Sequence, residues 1–304
     1  MISIIKKISS DLCLNETYVK NIIDRANYFY RDYAILKHDG TKRFICQAGP
    51  ELKTLQYWVV SNILSKLPIS NSAFAYRKGV SIKNHANYHV GAKHVLHVDI
   101  KNFFPSICDK HLNSILTDNK NLFAEYDIVN LSKYVNKICF RSNMLCIGTV
   151  SSPMLSNVIM YNFDEALSNY CKEKNMKYSR YSDDFYISST NYIPIETLKF
   201  IKSELNKLGF EINKAKTKFF SNKYRQRVTG LILTEKSKVS IGKERKDKIK
   251  KIIYEKLKHN KGVPAEIIGY LSFLKDVEPN TYNNLIIKYS KYTNIDIIDA
   301  LKSN

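Results

Sequence analysis

No stretch of this 304-residue chain approaches the ~18 consecutive apolar residues of a membrane-crossing helix. That excludes a helical membrane protein and leaves no membrane partner to expect. The first residues, Met1-Ile2-Ser3-Ile4-Ile5-Lys6-Lys7, are too briefly apolar for a secretion signal. The cysteines, at 13, 46, 108, 139, 146 and 171, include no C-x-x-C pair and no zinc-like spacing. The reading is free or buried thiols in a reducing cytoplasm. Internal repeats and low-complexity tracts are also lacking. Acid is in short supply: 28 Asp and Glu face 48 Lys and Arg, for a net charge of +20. Such a balance favours a polyanionic partner. From residue 201 onward, basic residues outnumber acids two to one and supply more than half of the excess. Tyrosine is abundant at 21, and aromatics interleaved with lysines suit stacking on unpaired bases as well as phosphate contact.

The scarce acids are concentrated where they carry chemistry. Residues 178–188 read Tyr-Ser-Arg-Tyr-Ser-Asp-Asp-Phe-Tyr-Ile-Ser, a β-hairpin pattern with Asp183 and Asp184 at its tip. An isolated Asp-Asp is more often a solvated turn. Here the flanks favour strands, and a third acid ends a short apolar strand, Val95-Leu96-His97-Val98-Asp99. Paired negative charge at strand ends is costly unless a cation neutralises it. Hard divalent cations with oxygen ligands do so, and three such acids suit two metal ions in in-line phosphoryl transfer. The residues alone thus point to a nucleotidyltransferase.

Around these acids the chain reads as mixed α and β. Residues 1–34 have helical spacing, with Asn15 or Thr17 as caps. A turn at Gly40 leads into a strand, and Pro50 opens a helix to about Leu67. A basic loop follows at 74–79, and residues 106–144 are mostly helical. One long helix is expected from Pro153 to about Lys174 and another from 195 to 208, ending at Gly209. Residues 228–233 read as a strand, and basic helices begin at Lys243 with Ile249, Ile252, Ile253 and Leu257 as an apolar stripe.

The ordered set of motifs resembles the reverse transcriptases of retrons, bacterial elements that make a small RNA-linked DNA. It runs strand–Asp99, Gly148-Thr149-Val150-Ser151-Ser152-Pro153 opening a helix, the Asp183-Asp184 hairpin, Asn213-Lys214-Ala215-Lys216-Thr217, then Val228-Thr229-Gly230. Tyr181-Ser182-Asp183-Asp184 is similar to the polymerase Tyr-x-Asp-Asp box, and residues 99–107 to the first palm motif. His85-Ala86-Asn87-Tyr88-His89 is close to the family's Asn-Ala-x-x-His signature, and Val228-Thr229-Gly230 matches Val-Thr-Gly. Two departures stand out. His85 takes the place of the first Asn, and Leu145-Cys146-Ile147-Gly148 replaces the usual Leu-Pro-Gln-Gly. The family's glutamine positions the incoming nucleotide, whereas the Ile147 side chain makes no hydrogen bond.

The resemblance implies an α+β right-hand polymerase fold with fingers, an antiparallel palm sheet and a helical thumb. Residues 1–34 would be an N-terminal extension and 35–97 fingers, with parts of 106–144. Residues 98–105 and 145–239 would be palm, and 240–304 thumb. Asp99, Asp183 and Asp184 would hold two Mg²⁺ ions, Mn²⁺ being a substitute, with the Ile100 carbonyl completing one site and Asp184 secondary. Phe104 would lie under the nucleotide sugar and exclude a ribose 2′-hydroxyl, while Phe103 is a core aromatic. Arg43 is either the finger arginine that grips the triphosphate or a surface charge on a hairpin. Lys216 is either a general acid for the pyrophosphate or a solvated lysine. Gly148, Ser151 and Ser152 would let template or nucleotide approach the start of a helix. His85 and His89 lack a third ligand for zinc and would contact RNA or serve a structural role. Val228, Thr229 and Gly230 would touch RNA or primer, or form a plain core strand.

The partners implied are dNTPs, a cognate structured non-coding RNA serving as template and primer, its msDNA product, a separate effector protein in antiphage defence, and host ribonuclease H, since no such module is apparent. Two alternatives remain at this stage. One is another bacterial defence or group II intron-like reverse transcriptase, although no maturase or endonuclease motif follows. The other is a non-catalytic RNA-binding scaffold.

Overall fold

The structure, a computed structural model, describes residues 2–36, 40–293 and 297–303. Residue 1 of the expected extension, residues 37–39 of the fingers and residues 294–296 and 304 of the thumb lie outside the described residues. Helices α1 (Ile4–Leu12) and α2 (Glu16–Asp24) come first. Asn15, not Thr17, caps α2 by accepting the Thr17 N–H at 2.8 Å. The helical reading of residues 1–34 then ends early, because β1 (Tyr30–Leu36) pairs antiparallel with β2 (Lys42–Ala48). All of β1 beyond Tyr30 is exposed, so it has no buried–exposed alternation from which a strand can be read.

Pro50 opens α3 (Pro50–Asn62), which buries Leu52, Leu55, Trp58 and Val59 and passes into a 3₁₀ turn. Next come α4 (Ile82–Tyr88), β3 (His94–Asp99), α5 (Phe103–Ser106), α6 (Asp109–Asp118) and α7 (Ile128–Cys139). The long helix expected from Pro153 is two helices, α8 (Ser151–Ile159) and α9 (Tyr161–Glu173), parted at Met160, where ψ is 0°. The expected hairpin is β4 (Lys177–Tyr181) and β5 (Asp184–Ser189), and α10 (Ile195–Lys207) stops ahead of Gly209. Then follow β6 (Lys218–Ser221), β7 (Arg227–Val228), β8 (Leu231–Leu233) and β9 (Val239–Ser240). Helices α11 (Lys243–His259), α12 (Pro264–Val277), α13 (Pro279–Thr293) and α14 (Ile297–Ser303) complete the described chain. Residues 228–233 are not one strand. Thr229 and Gly230 take φ of 46° and 79°, which makes a two-residue turn of the kind that joins hairpins.

The described strands form a pair β1-β2, a four-stranded sheet in the order β4-β5-β3-β6 and a three-stranded sheet β7-β8-β9. The chain divides into two compact units. The first comprises Met1–Lys78, His97–Phe185 and Pro194–Lys218. Its helices α3, α7 and α8 pack together, with α1 and α2 on α7. The second comprises Gly79–Leu96, Tyr186–Ile193 and Phe219–Asn304. Its core joins Ala86 and Val95 to Val228, Leu231, Ile249, Ile253, Leu271 and Leu274. Of the expected stripe on α11, Ile249 and Ile253 are fully buried and Ile252 and Leu257 partly so.

Glu278, just past the end of α12, ties the second unit together. It accepts the Ile241 N–H and the Ser240 hydroxyl, both at 2.8 Å, and pairs with Lys246 at 2.5 Å. Burial pushes its carboxyl up, but these partners outweigh burial and hold it below its ordinary value. Glu278→Gln is therefore expected to cost about 1.5–3 kcal/mol at neutral pH. A carboxylate depressed on folding stabilises above its unfolded pKa and loses that contribution as pH falls through the folded one. The gap between wild type and variant should be full at neutral pH and close below the ordinary glutamate range. Thermal melts from about pH 7 to about pH 3 check this, and a gap that widens with acid would contradict it.

Candidate active site

Strand order brings the acids together. β3 lies beside β5, so Asp99, the last residue of β3, stands next to the turn that carries Asp183 and Asp184. The Ile100 N–H donates to the Asp183 carbonyl at 3.0 Å, and the Asn213 N–H donates to the Asp99 carbonyl at 2.7 Å. The Ile100 main chain is thereby held against the Asp183 turn.

Two nitrogen-bearing side chains already engage these acids. Lys216 Nζ reaches Asp99 Oδ2 at 2.7 Å, and His97 Nε2 lies 2.6 Å from Asp184 Oδ1. The bond to Asp99 holds the Lys216 ammonium above its ordinary pKa, with help from the charges of Asp99, Asp183 and Asp184. Burial, then the charge of Asp184 and more weakly of Asp99, pushes the Asp183 carboxyl up. Among the described residues, no three His, Cys, Asp or Glu side chains are gathered as ligands around one point. Here Lys216 engages Asp99 and His97 engages Asp184. The donor set still fits a hard divalent cation. It consists of carboxylate oxygens, and Asp183 sits in a half-buried, acidic setting that added positive charge would relieve.

Behind the turn lies a network absent from the sequence reading. Arg180 and Asp164 are both wholly buried and bonded through Arg180 Nε and Nη2, the shortest contact being 2.7 Å. Tyr178 donates its hydroxyl to Asp164 at 2.6 Å, and Asn157 Oδ1 accepts from Arg180 Nη2 at 3.2 Å. Burial works against the Arg180 charge, but the adjacent Asp164 carboxylate outweighs it and holds the guanidinium above its ordinary value. The remaining Arg180 arm, Nη1, donates to the Ser182 carbonyl at 3.1 Å. His97 had a visible signal, being two residues before Asp99 on the same strand face. Arg180 had a weaker one, a charge in the middle of a short strand.

The other expected nucleotide contacts vary in placement. Phe104 is half-buried, meeting Tyr76 edge-on at 6.5 Å and Phe103 at 5.4 Å. The Tyr76 hydroxyl in turn lies 3.0 Å from Ser182 Oγ, which ties Phe104 to the acidic turn through one ring. Phe103 is buried core, as expected. Gly148 takes φ +107°, and a Cβ there would come 2.7 Å from Ile45 Cγ2. Its small size is therefore required by β2, to which the loop is tied by the Cys46 N–H donating to the Ile147 carbonyl at 2.8 Å. Ser151 and Ser152 are buried, and the Ser152 hydroxyl bonds Thr149 at 2.6 Å. Their side chains face protein, so any approach to this helix start is through backbone. Arg43 is exposed on β2, opposite Ile35.

In the second unit the two signature motifs interlock. His85 Nδ1 lies 2.8 Å from Thr229 Oγ1, His89 Nδ1 lies 2.7 Å from Ser188 Oγ, and the Thr229 N–H donates to the Tyr186 hydroxyl at 3.2 Å. Both imidazoles and Val228 are wholly buried. Of the two roles expected for the histidines, the geometry suits the structural one. Thr229 and Gly230 remain accessible at the turn, where Arg245 Nη1 donates to the Gly230 carbonyl at 3.0 Å.

Residues 35–270 match the family model described as reverse transcriptase (RNA-dependent DNA polymerase). The chain is 32% identical to the retron Ec86 reverse transcriptase of Escherichia coli, over 89% of this chain and 83% of that one. It is 33% identical to the retron Ec73 reverse transcriptase of the same organism, over 85% and 86%. Among solved structures, telomerase from Candida albicans with a telomeric RNA fragment superposes with a TM-score of 0.50 at 13% identity. That match covers 86% of this chain and 56% of the telomerase chain, and shows a shared fold. The right-hand polymerase fold expected from the motifs is thus the fold present. The chain belongs to the reverse transcriptase family, among the retron reverse transcriptases, and its chemistry is RNA-directed DNA polymerisation.

Proposed function

We propose that this enzyme copies a cognate structured non-coding RNA into single-stranded DNA, starting from an RNA 2′-hydroxyl and leaving an RNA-linked product, msDNA, in antiphage defence. The meeting of Asp99, Asp183 and Asp184 beside Lys216 carries the catalytic part of this reading. Likeness to retron enzymes over most of both chains supports the remainder.

Asp99, Asp183 and the Ile100 carbonyl would hold the divalent cations, with Asp184 secondary because His97 engages it. Two magnesium ions, or manganese in their place, supply charge neutralisation at the primer hydroxyl and triphosphate when bound. Lys216, freed from Asp99, would donate its proton to the departing pyrophosphate. Arg43 would grip the triphosphate, and Phe104 would lie under the sugar. Ile147, Gly148 and the backbone at Ser151 and Ser152 would border the nucleotide. Thr229 and Gly230 would face primer or RNA, held by His85. The lysines of α11 to α14 would hold the template–primer duplex through phosphates, giving salt-sensitive, sequence-tolerant binding. On this reading residues 1–34 are an N-terminal extension, 35–97 with parts of 106–144 fingers, 98–105 and 145–239 palm, and 240–304 thumb. The enzyme works in the cytoplasm with a separate effector protein and host ribonuclease H.

Ile147, in place of the glutamine usual in related enzymes, favours a second reading, a defence or group II intron-like reverse transcriptase with an unusual template. Expression with the native genomic neighbourhood and sequencing of copurifying nucleic acid tests both. Covalently joined RNA and DNA is the expected result. DNA free of RNA would support the second reading. RNA alone, with no metal-dependent dNTP incorporation, would leave only a binding scaffold and overturn both.

A further inference from the structure

We infer that Arg180 is a positioning residue, whose Nη1 arm fixes the main chain at Ser182 and thereby sets where the Asp183 carboxylate points. The inference deepens the reading of Asp183 as a metal ligand and rests on it. Ser182 is the first residue of the two-residue turn between β4 and β5, and it takes φ +61°. That region is uncommon for a residue with a side chain. It persists where the surroundings over-determine it.

Two bonds hold Ser182 from opposite ends. Arg180 Nη1 donates to its carbonyl at 3.1 Å, and its hydroxyl lies 3.0 Å from that of Tyr76. The carbonyl matters more, because it belongs to the peptide that enters Asp183. Arg180 in turn cannot shift. Nε bonds both Asp164 oxygens at 2.9 and 3.2 Å, and Nη2 bonds Asp164 at 2.7 Å and Asn157 at 3.2 Å. Asn157 is itself pinned through Nδ2 to the Ala75 carbonyl at 2.9 Å. A buried ion pair is weak evidence of stability, since two charges have left water to make it. Its use here lies in direction. The planar guanidinium spends one edge on Asp164 and aims the other at the turn, which a lysine ammonium, a single point of charge, does not reproduce.

Arg180→Lys keeps the charge opposite Asp164 and removes the aimed arm. The readouts are Mn²⁺ binding to the whole protein by electron paramagnetic resonance, kcat and nucleotide KM for primer extension, and folding by circular dichroism. Mn²⁺ affinity is expected to fall roughly 10- to 100-fold, the effect of losing a group that orients a ligand. The expected kinetic signature is a lower kcat with the nucleotide KM nearly unchanged. Gln56→Leu serves as the stability control. It removes a buried side chain of the same unit that donates to the Ile138 carbonyl, and it should lower the melting temperature while leaving Mn²⁺ affinity intact. A folded Arg180→Lys protein with wild-type Mn²⁺ affinity overturns the inference, as does an equal loss in the control. If the lysine variant does not fold, Asn157→Ala decides, since it leaves the ion pair but removes the outer bond that sets the guanidinium's tilt. Weakened Mn²⁺ binding supports the inference and unchanged binding overturns it. Wild-type protein that binds no Mn²⁺ and incorporates no dNTP would overturn the functional reading itself.

Discussion

Asp183→Asn is expected to lower DNA synthesis by about 10³-fold or more while leaving the protein as stable as wild type, or more so, without metal. The two halves of this expectation have one cause. Burial and the charges of Asp184 and Asp99 disfavour the ionised Asp183 side chain in the folded state. A carboxyl raised on folding costs stability above its unfolded pKa, so a neutral isostere removes that cost at neutral pH. On the proposed reading the same charge density would attract a divalent cation. Adding Mg²⁺ should therefore raise the melting temperature of wild type and leave the Asn variant nearly unmoved, as binding to the folded state alone requires. Extension at the wild-type rate by the folded variant, or a clear loss of metal-free stability, would contradict the account.

The parts of this site legible in the sequence are those set by local pattern. Asp99 and Asp184 stand at strand ends and Asp183 in the turn between β4 and β5, and polar residues that interrupt β-branched and aromatic runs are readable one strand at a time. What stayed hidden was nonlocal. Arg180 finds Asp164 sixteen positions back on α9, and neither residue carries a mark that names the other. Thr229 gave the opposite error. Its β-branched side chain sits in a Val-Thr-Gly-Leu-Ile-Leu run that reads as one strand, yet His85 and the Tyr186 hydroxyl hold it at positive φ. Tertiary bonds override propensity there. Ser151 and Ser152 looked like an open helix start, but the close approach of β2 at Gly148 and the Thr149 bond leave their side chains inside. The same β2 contact fixes Ile147 through its backbone, where side-chain chemistry had drawn attention.

Phe104→Ala is expected to admit ribonucleotides, lowering the preference for deoxynucleotides in kcat/KM while leaving DNA synthesis active. The ring has a supported position. Tyr76 meets it edge-on at 6.5 Å, and Tyr76 is bonded to Ser182 in the acidic turn. Phe103, buried beneath at 5.4 Å, keeps the ring from sinking into the core. A ribose 2′-hydroxyl pressed against a ring so held meets an overpacking cost of ~1–3 kcal/mol. That corresponds to roughly 5- to 150-fold in the ratio of kcat/KM values. Removing the ring should erase that factor through the ribonucleotide, not through the deoxynucleotide, because the clash acts only on the former. Single-nucleotide incorporation with matched dNTP and rNTP measures it directly. Tyr76→Phe is the companion variant: it keeps the edge contact but loses the bond to Ser182, and should relax sugar selection only slightly. Unchanged discrimination in Phe104→Ala would remove Phe104 from the nucleotide site and leave its contact with Tyr76 as surface ring packing alone.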